Sequence, residues 1–295
     1  MRQSTFESWP PVGKLFFTAL AAFGTFLLVF VAGLLLSFLF YDIDLSTFQQ
    51  QFTENMSILR YFQFVQSVGL FVVPPFLIAI ISGVGIGNYL QINKAPKGKL
   101  LFIALAIMPI AMLLISFLGY VNSLVSFPDW IVAMEDAANT MAEKMLRTDN
   151  VFTFLANIVV IAVVPAVGEE LIFRGLLQKY FIQWTKNIHI GILITAIVFS
   201  TIHFQFLGFL PRMAMGLVFG YMLVYSKNIW YPIIAHFVNN ALAVTIIYFD
   251  PLQSVAPNVS DEPIGQIVGL GLVSLFAVIW LIIVFKRISE KSLSE

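Results

Sequence analysis

The chain has no cysteine among its 295 residues. Disulfides, thiolate metal sites and a cysteine nucleophile are excluded together, and the absence carries no information on compartment. Charge is also scarce. Asp, Glu, Lys and Arg make up 11% of the sequence, against about 25% in a soluble domain. Sixteen basic residues balance sixteen acidic ones, so no general positive field exists to hold a nucleic acid. The period-2 alternation of a lipid-spanning barrel is missing too. What is present is apolar: 59% of residues, arriving in runs of about 20, the length that crosses a hydrocarbon layer about 30 Å thick.

Eight such stretches can be read, at 15–41, 61–87, 100–120, 153–182, 188–206, 209–225, 229–249 and 264–285. Lipid offers backbone N–H and C=O groups no water, so each span is expected to be helical. The fold class is therefore all-α: a polytopic integral membrane helical bundle with about eight transmembrane helices, forming a single domain over 1–295. The first stretch is too long for the core of a signal peptide and no A-x-A-like site ends it, which reads as an uncleaved span.

Lys and Arg in the connections orient the bundle. One face collects Arg2, Lys14, Lys94, Lys97, Lys99, Lys179, Lys186, Lys227, Lys286, Arg287 and Lys291 against Glu7, Glu290 and Glu295. This basic face is expected to be cytoplasmic, with both termini on it, in a plasma or inner membrane or its equivalent. The opposite, acidic face has Arg60, Lys144 and Arg147 against Asp42, Asp44, Glu54, Asp129, Glu135, Asp136, Glu143, Asp149, Asp250, Asp261 and Glu262. The four charges that belong to neither face, Glu169, Glu170, Arg174 and Arg212, lie inside or at the edge of apolar stretches.

Several smaller features have unremarkable readings. Trp130, Met134, Ala138, Met141 and Met145 share one helical face with acids elsewhere, so an amphipathic helix lying on the outer surface is expected, with a lid as the alternative. Gly83, Gly85 and Gly87 end a span with no strand before them, which argues against nucleotide binding. The pairs Gly216/Gly220 and Gly265/Gly269 read as close helix packing. Asn55 and Asn258 head sequons of a pattern short enough to arise by chance. His189 and Arg212, at span ends, read as solvated and snorkelling residues.

An ionised carboxylate at the bilayer centre costs about 2.5–3.5 kcal/mol even on the lenient insertion scale, so the adjacent pair in Pro165-Ala-Val-Gly-Glu169-Glu170-Leu-Ile-Phe-Arg174-Gly175 needs a reason. Glu170 and Arg174 are i,i+4 in the favourable order and can neutralise each other, whereas Glu169 is turned about 100° away. Pro165 leaves the carbonyl of Ile161 without its donor and should bend the chain just before the acids, opening room for water. A carboxylate beside water is what a general base requires. Two of the three histidines also lie in apolar stretches: Phe199-Ser-Thr-Ile-His203 and His236-Phe-Val-Asn-Asn240. At about 1.5 Å per residue, Glu169, His203 and His236 fall in one layer, about 10–22 Å below the basic face.

Glu169-Glu170-x-x-x-Arg174, Phe199-x-x-x-His203 and His236-x-x-x-Asn240 resemble, in order, the three motifs of the CAAX-protease and bacteriocin-processing family of intramembrane endopeptidases, which includes the Ras-converting prenyl proteases. The resemblance covers about 155–245, which would be the catalytic core; residues 1–150 add spans and the outer amphipathic helix. It implies hydrolysis of a peptide bond in a membrane-associated or prenylated protein or peptide. Glu169 and His203 would activate water, His236 and Asn240 would complete the polar cage or stabilise the oxyanion, and Glu170 with Arg174 would be supporting, mainly structural residues.

One carboxylate and two imidazoles also form an acceptable zinc set, with Glu169, His203 and His236 as ligands and an open fourth position that would acidify a bound water. H-E-x-x-H is absent, and both a metal route and a metal-free glutamate route stand open. No G-x-S-x-G elbow supplies a serine nucleophile. The residues also admit an ion- or proton-coupled transporter, since intramembrane Glu, His and Arg mark ion pathways, but no inverted repeat accompanies them. A non-catalytic membrane scaffold is the third reading.

Overall fold

The computed structural model describes residues 5–41, 43, 46–250 and 263–294; Asn258 and several terminal and loop charges used above lie outside them. Among the described residues the long helices are α1 (Pro11–Phe40), α2 (Met56–Ser82), α3 (Gly98–Ser123), α4 (Asp129–Leu146), α5 (Val151–Thr185), α6 (Ile188–Thr201), α7 (Phe209–Ser226), α8 (Trp230–Phe249) and α9 (Ile264–Ser294). Seven helical segments are long and apolar enough to cross a membrane, and the shorter apolar α6 makes the eighth. The chain is a polytopic helical membrane protein, as the hydropathy runs predict.

Two apolar cores hold the bundle. One joins Ala22 of α1, Ile78 of α2, Leu171 and Phe173 of α5, Phe199 of α6 and Ile233 of α8. The other joins Ile107 and Met108 of α3, Phe219 of α7, Ala235 of α8 and Val278 of α9. Helices α7 and α8 contribute to both, so a residue such as His236, next to Ala235, stands where the cores meet.

Two prolines shape the helices that carry the site. Wide i→i+5 turns occupy 68–72 before Pro74 and 158–163 before Pro165, where the missing proline N–H breaks the regular ladder. The first wide turn is gripped from both sides. Thr25 donates to the Gly69 carbonyl at 2.7 Å, and a side chain at Gly168 would stand 2.9 Å from Phe71 Cβ. Gly168 thus lets α2 lie directly against α5 one residue before Glu169.

Three expectations need correction. The apolar stretch 188–206 is helical only to Thr201; His203 lies in the turn that follows, and Phe204 adopts a left-handed φ of 54°. The turn survives at membrane depth because its polar groups find partners: Leu207 N–H donates to Glu135 at 2.8 Å, and Asn122 receives Leu210 N–H at 3.0 Å while donating to Phe206 O at 2.9 Å. Secondly, α4 does not place all its acids outward. Glu135 is buried while Trp130 is 65% exposed, because the peptide group of Leu207 attracts the carboxylate more strongly than periodicity excludes it. Arg60 and Asn157 bind the Met145 carbonyl at the other end of α4, at 2.6 and 3.1 Å, so the helix is pinned twice. Thirdly, Gly265 and Gly269 have open space where a side chain would stand; Gly271 packs on Phe117 instead. Gly216 and Gly220 do meet neighbours closely, at Ala196 and Ile192. Asn55 caps α2 through the N–H groups of Ser57 and Ile58.

Candidate active site

Glu169 and Glu170 share one turn of α5 with Arg174 on the next, and the rotation between the two acids sends them to different partners. Glu170 Oε1 accepts Arg174 Nη1 at 2.8 Å and His236 Nδ1 at 2.9 Å. Arg174 also donates Nη2 to the Gly216 carbonyl at 3.2 Å, and its guanidinium lies 4.6 Å from the Phe199 ring centre and 5.3 Å from that of Phe219. This buried ion pair is sheathed in aromatic faces, which favour a cation. Phe219 stacks on the His236 ring at 5.1 Å, and Phe199 meets His203 edgewise at 5.0 Å.

Both imidazoles are held in a defined tautomer. His203 Nδ1 lies 2.7 Å from the Phe199 carbonyl, which has no proton to give, so Nδ1 donates and Nε2 keeps its lone pair. His236 Nδ1 donates to a carboxylate already paired with Arg174, which turns its other nitrogen, Nε2, to Glu169. Each Nε2 then faces Glu169 Oε2 at 3.9 Å. One carboxylate oxygen and two imidazole nitrogens thus converge, an arrangement that suits a water molecule or a cation between them.

These are donor types that zinc accepts, and hydrogen-bonded Nδ1 groups are its usual outer support. Ligands about 2.05 Å from one tetrahedral ion stand about 3.3 Å apart, closer than the 3.9 Å that separates Glu169 Oε2 from each Nε2. Among the described residues no group of three such side chains is already closed to metal-binding separation.

Asn240 turns its amide to the Ile161 carbonyl at 3.2 Å and accepts Asn239 at 3.1 Å. Ile161 is the residue whose carbonyl Pro165 cannot serve, so Asn240 replaces the lost helix bond. Arg212 lies apart from the acids and clamps Gln205 through its side chain, at 2.9 Å, and its carbonyl.

Glu169 and His203 line a cavity of about 770 Å³ whose other walls are mainly apolar, among them Ala22 and Phe23 of α1, Leu70 and Phe71 of α2, and Pro165 and Phe173 of α5. His236 is not among the residues that line it. Periodicity alone missed the Glu170–His236 bond, the stacking of Phe219 and the Gly216 carbonyl; Gly216 was visible only as a packing glycine.

The chain is 31% identical over 105 residues to "Putative membrane peptidase YdiL" of Bacillus subtilis (strain 168), an overlap covering 36% of this chain and 42% of that protein. It is 28% identical over 103 residues to "Uncharacterized protein YpbD" of the same organism, covering 34% and 50%. The chain thus spans half or less of the length of these curated relatives. No solved structure matches. The family model described as "Type II CAAX prenyl endopeptidase Rce1-like" matches residues 151–242, the segment that carries Glu169, Glu170, Arg174, His203, His236 and Asn240.

Proposed function

We propose that the chain is an intramembrane endopeptidase that hydrolyses a peptide bond of a membrane-associated or prenylated protein or peptide, using water activated by Glu169. The observation that carries the reading is the convergence of Glu169 Oε2 with two imidazole Nε2 atoms beside a mainly apolar cavity. A water at that point gives one proton to Glu169 while hydrogen-bonding to an imidazole, and its oxygen attacks the substrate carbonyl. The C–N bond then breaks as the proton passes from Glu169 to the leaving amine. His203, on the cavity wall, orients the water; His236, steadied by Glu170 and Arg174, fixes the other side. Asn240 spends one amide proton on Ile161, and we assign the other to the developing oxyanion.

Zinc is a compatible cofactor: Glu169, His203 and His236 would hold it, and it would supply a water acidified to a pKa of about 7. The substrate would come from the lipid bilayer, since the cavity walls are mainly apolar and include the membrane-spanning helices α1, α2 and α5.

The test is cleavage of a quenched-peptide library, including prenylated peptides, by protein in lipid nanodiscs, with wild type and Glu169→Ala side by side and with metal content measured before and after chelation. Cleavage that disappears in Glu169→Ala is the expected result; full activity of that variant would remove Glu169 from the mechanism. A pure affinity loss in Asn240→Ala, with kcat unchanged, would remove Asn240 from the oxyanion.

A further inference from the structure

Behind Arg174, on the basic face, a second cavity of about 670 Å³ opens between α5, the 83–97 connection, the start of α6 and the end of α7. Lys94, Lys179, Lys227 and Arg174 line it, and no carboxylate does. Among the described residues none of the three lysines forms an ion pair with a carboxylate. The Lys179 ammonium sits 3.7 Å from the centre of the Tyr89 ring. Tyr89 supplies only a π face there: burial, followed by its hydrogen bond with Tyr180, raises its hydroxyl above the ordinary phenol range, so it stays neutral.

The inner wall carries unfinished hydrogen bonding. Arg174 is 1% exposed and commits Nη1 and Nη2 to Glu170 and Gly216, while its Nε has no partner. Four cations thus surround one cavity, and a buried charged donor at its wall is unsatisfied. Lys227 stands at the left-handed end of α7, with φ 50°, a place where glycine is the easier residue. The remaining wall includes Leu223 and Ile188, the latter 45% exposed, so the pocket has an apolar flank beside its charged mouth.

We infer that this cavity binds a phosphate group, presented by the headgroup of an anionic phospholipid whose acyl chains lie along the apolar flank. Lysines attract phosphate as point charges, and basic pockets between membrane helices suit anionic headgroups. The reading is independent of the peptidase proposal, because its test measures binding alone.

The test uses the full chain in detergent, titrated with phosphatidylglycerol or phosphatidylcholine of identical acyl chains and followed by native mass spectrometry, with inorganic phosphate added separately and followed by Tm. The pocket variant is Lys94→Gln with Lys227→Gly, which removes two charges and relieves the left-handed backbone. The control, Lys99→Gln with Lys286→Gln, removes the same charge elsewhere. Wild type and control should bind phosphatidylglycerol at least tenfold tighter than phosphatidylcholine, and the pocket variant should lose that preference. Inorganic phosphate raising Tm without any lipid preference would keep the phosphate site and overturn its lipid source. Equal binding of both lipids with no phosphate effect, or an equal loss in the control, would overturn the inference.

Discussion

His236 Nδ1 lies 2.9 Å from Oε1 of Glu170, the same oxygen that holds Arg174 at 2.8 Å. The neighbouring carboxylate, Glu169, faces the other nitrogen of that ring at 3.9 Å. Adjacent acids therefore divide one imidazole between them, one fixing it and one sharing its reactive edge. Removing Glu170 strands a buried guanidinium, and breaking a buried pair in this way costs about 3–5 kcal/mol. Glu170→Ala should unfold at clearly lower denaturant or temperature, whereas Glu169→Ala should stay within about 1 kcal/mol of wild type and yet be inactive. Unfolding and cleavage measured on the same preparations check both; a Glu170→Ala protein as stable as wild type would show that Arg174 has another counter-charge.

Asn240 serves the carbonyl that Pro165 leaves open, so the two residues should be coupled. Asn240→Ala is expected to cost about 1–2 kcal/mol in the natural chain and less once Pro165→Ala restores the helix bond. A double-mutant cycle reads the difference directly; strict additivity would mean that the Asn240–Ile161 bond contributes nothing.

The glycines of the two G-x-x-x-G pairs should behave oppositely. A methyl at Gly216 would meet the Ala196 backbone at 3.0 Å, and such overpacking costs about 1–3 kcal/mol. Gly269 faces open space, so Gly269→Ala should be neutral or stabilise the helix by up to about 1 kcal/mol. Thermal unfolding of the two variants in one detergent decides the matter, with equal destabilisation as the contrary result.

Glu135 is the acceptor for Leu207 N–H, and it acts on the turn that carries His203. Glu135→Leu should leave that amide unsatisfied at about 1–3 kcal/mol, whereas Glu135→Gln retains an acceptor and most of the stability. Hydrogen exchange over 204–208 should accelerate in the first variant; unchanged protection there would show that another group holds the turn.

The spans were legible because lipid leaves a backbone no partner outside its own helix, and the common depth of Glu169, His203 and His236 follows from helical rise alone. The bond between Glu170 and His236 crosses 66 positions, a separation on which local periodicity has no bearing. The end of α6 was equally hidden, since no glycine or proline stands between Thr201 and Leu207; tertiary hydrogen bonds from Glu135 and Asn122 stop the helix. Asn240 is an intermediate case. Pro165 announces that a carbonyl needs a donor, but only the packing of α8 on α5 says which side chain provides it.

The early end of α6 ties the site to the membrane's own dimensions. Fourteen residues rise about 21 Å, some 9 Å less than a typical hydrocarbon core. Beyond Thr201 the crossing continues in turns whose polar groups depend on the protein for partners. Lipids with short acyl chains would bring the far headgroups down towards His203, while long ones would bury its turn deeper and add hydrophobic mismatch to the cost of opening it. Acyl-chain length would thereby set how readily water reaches Glu169.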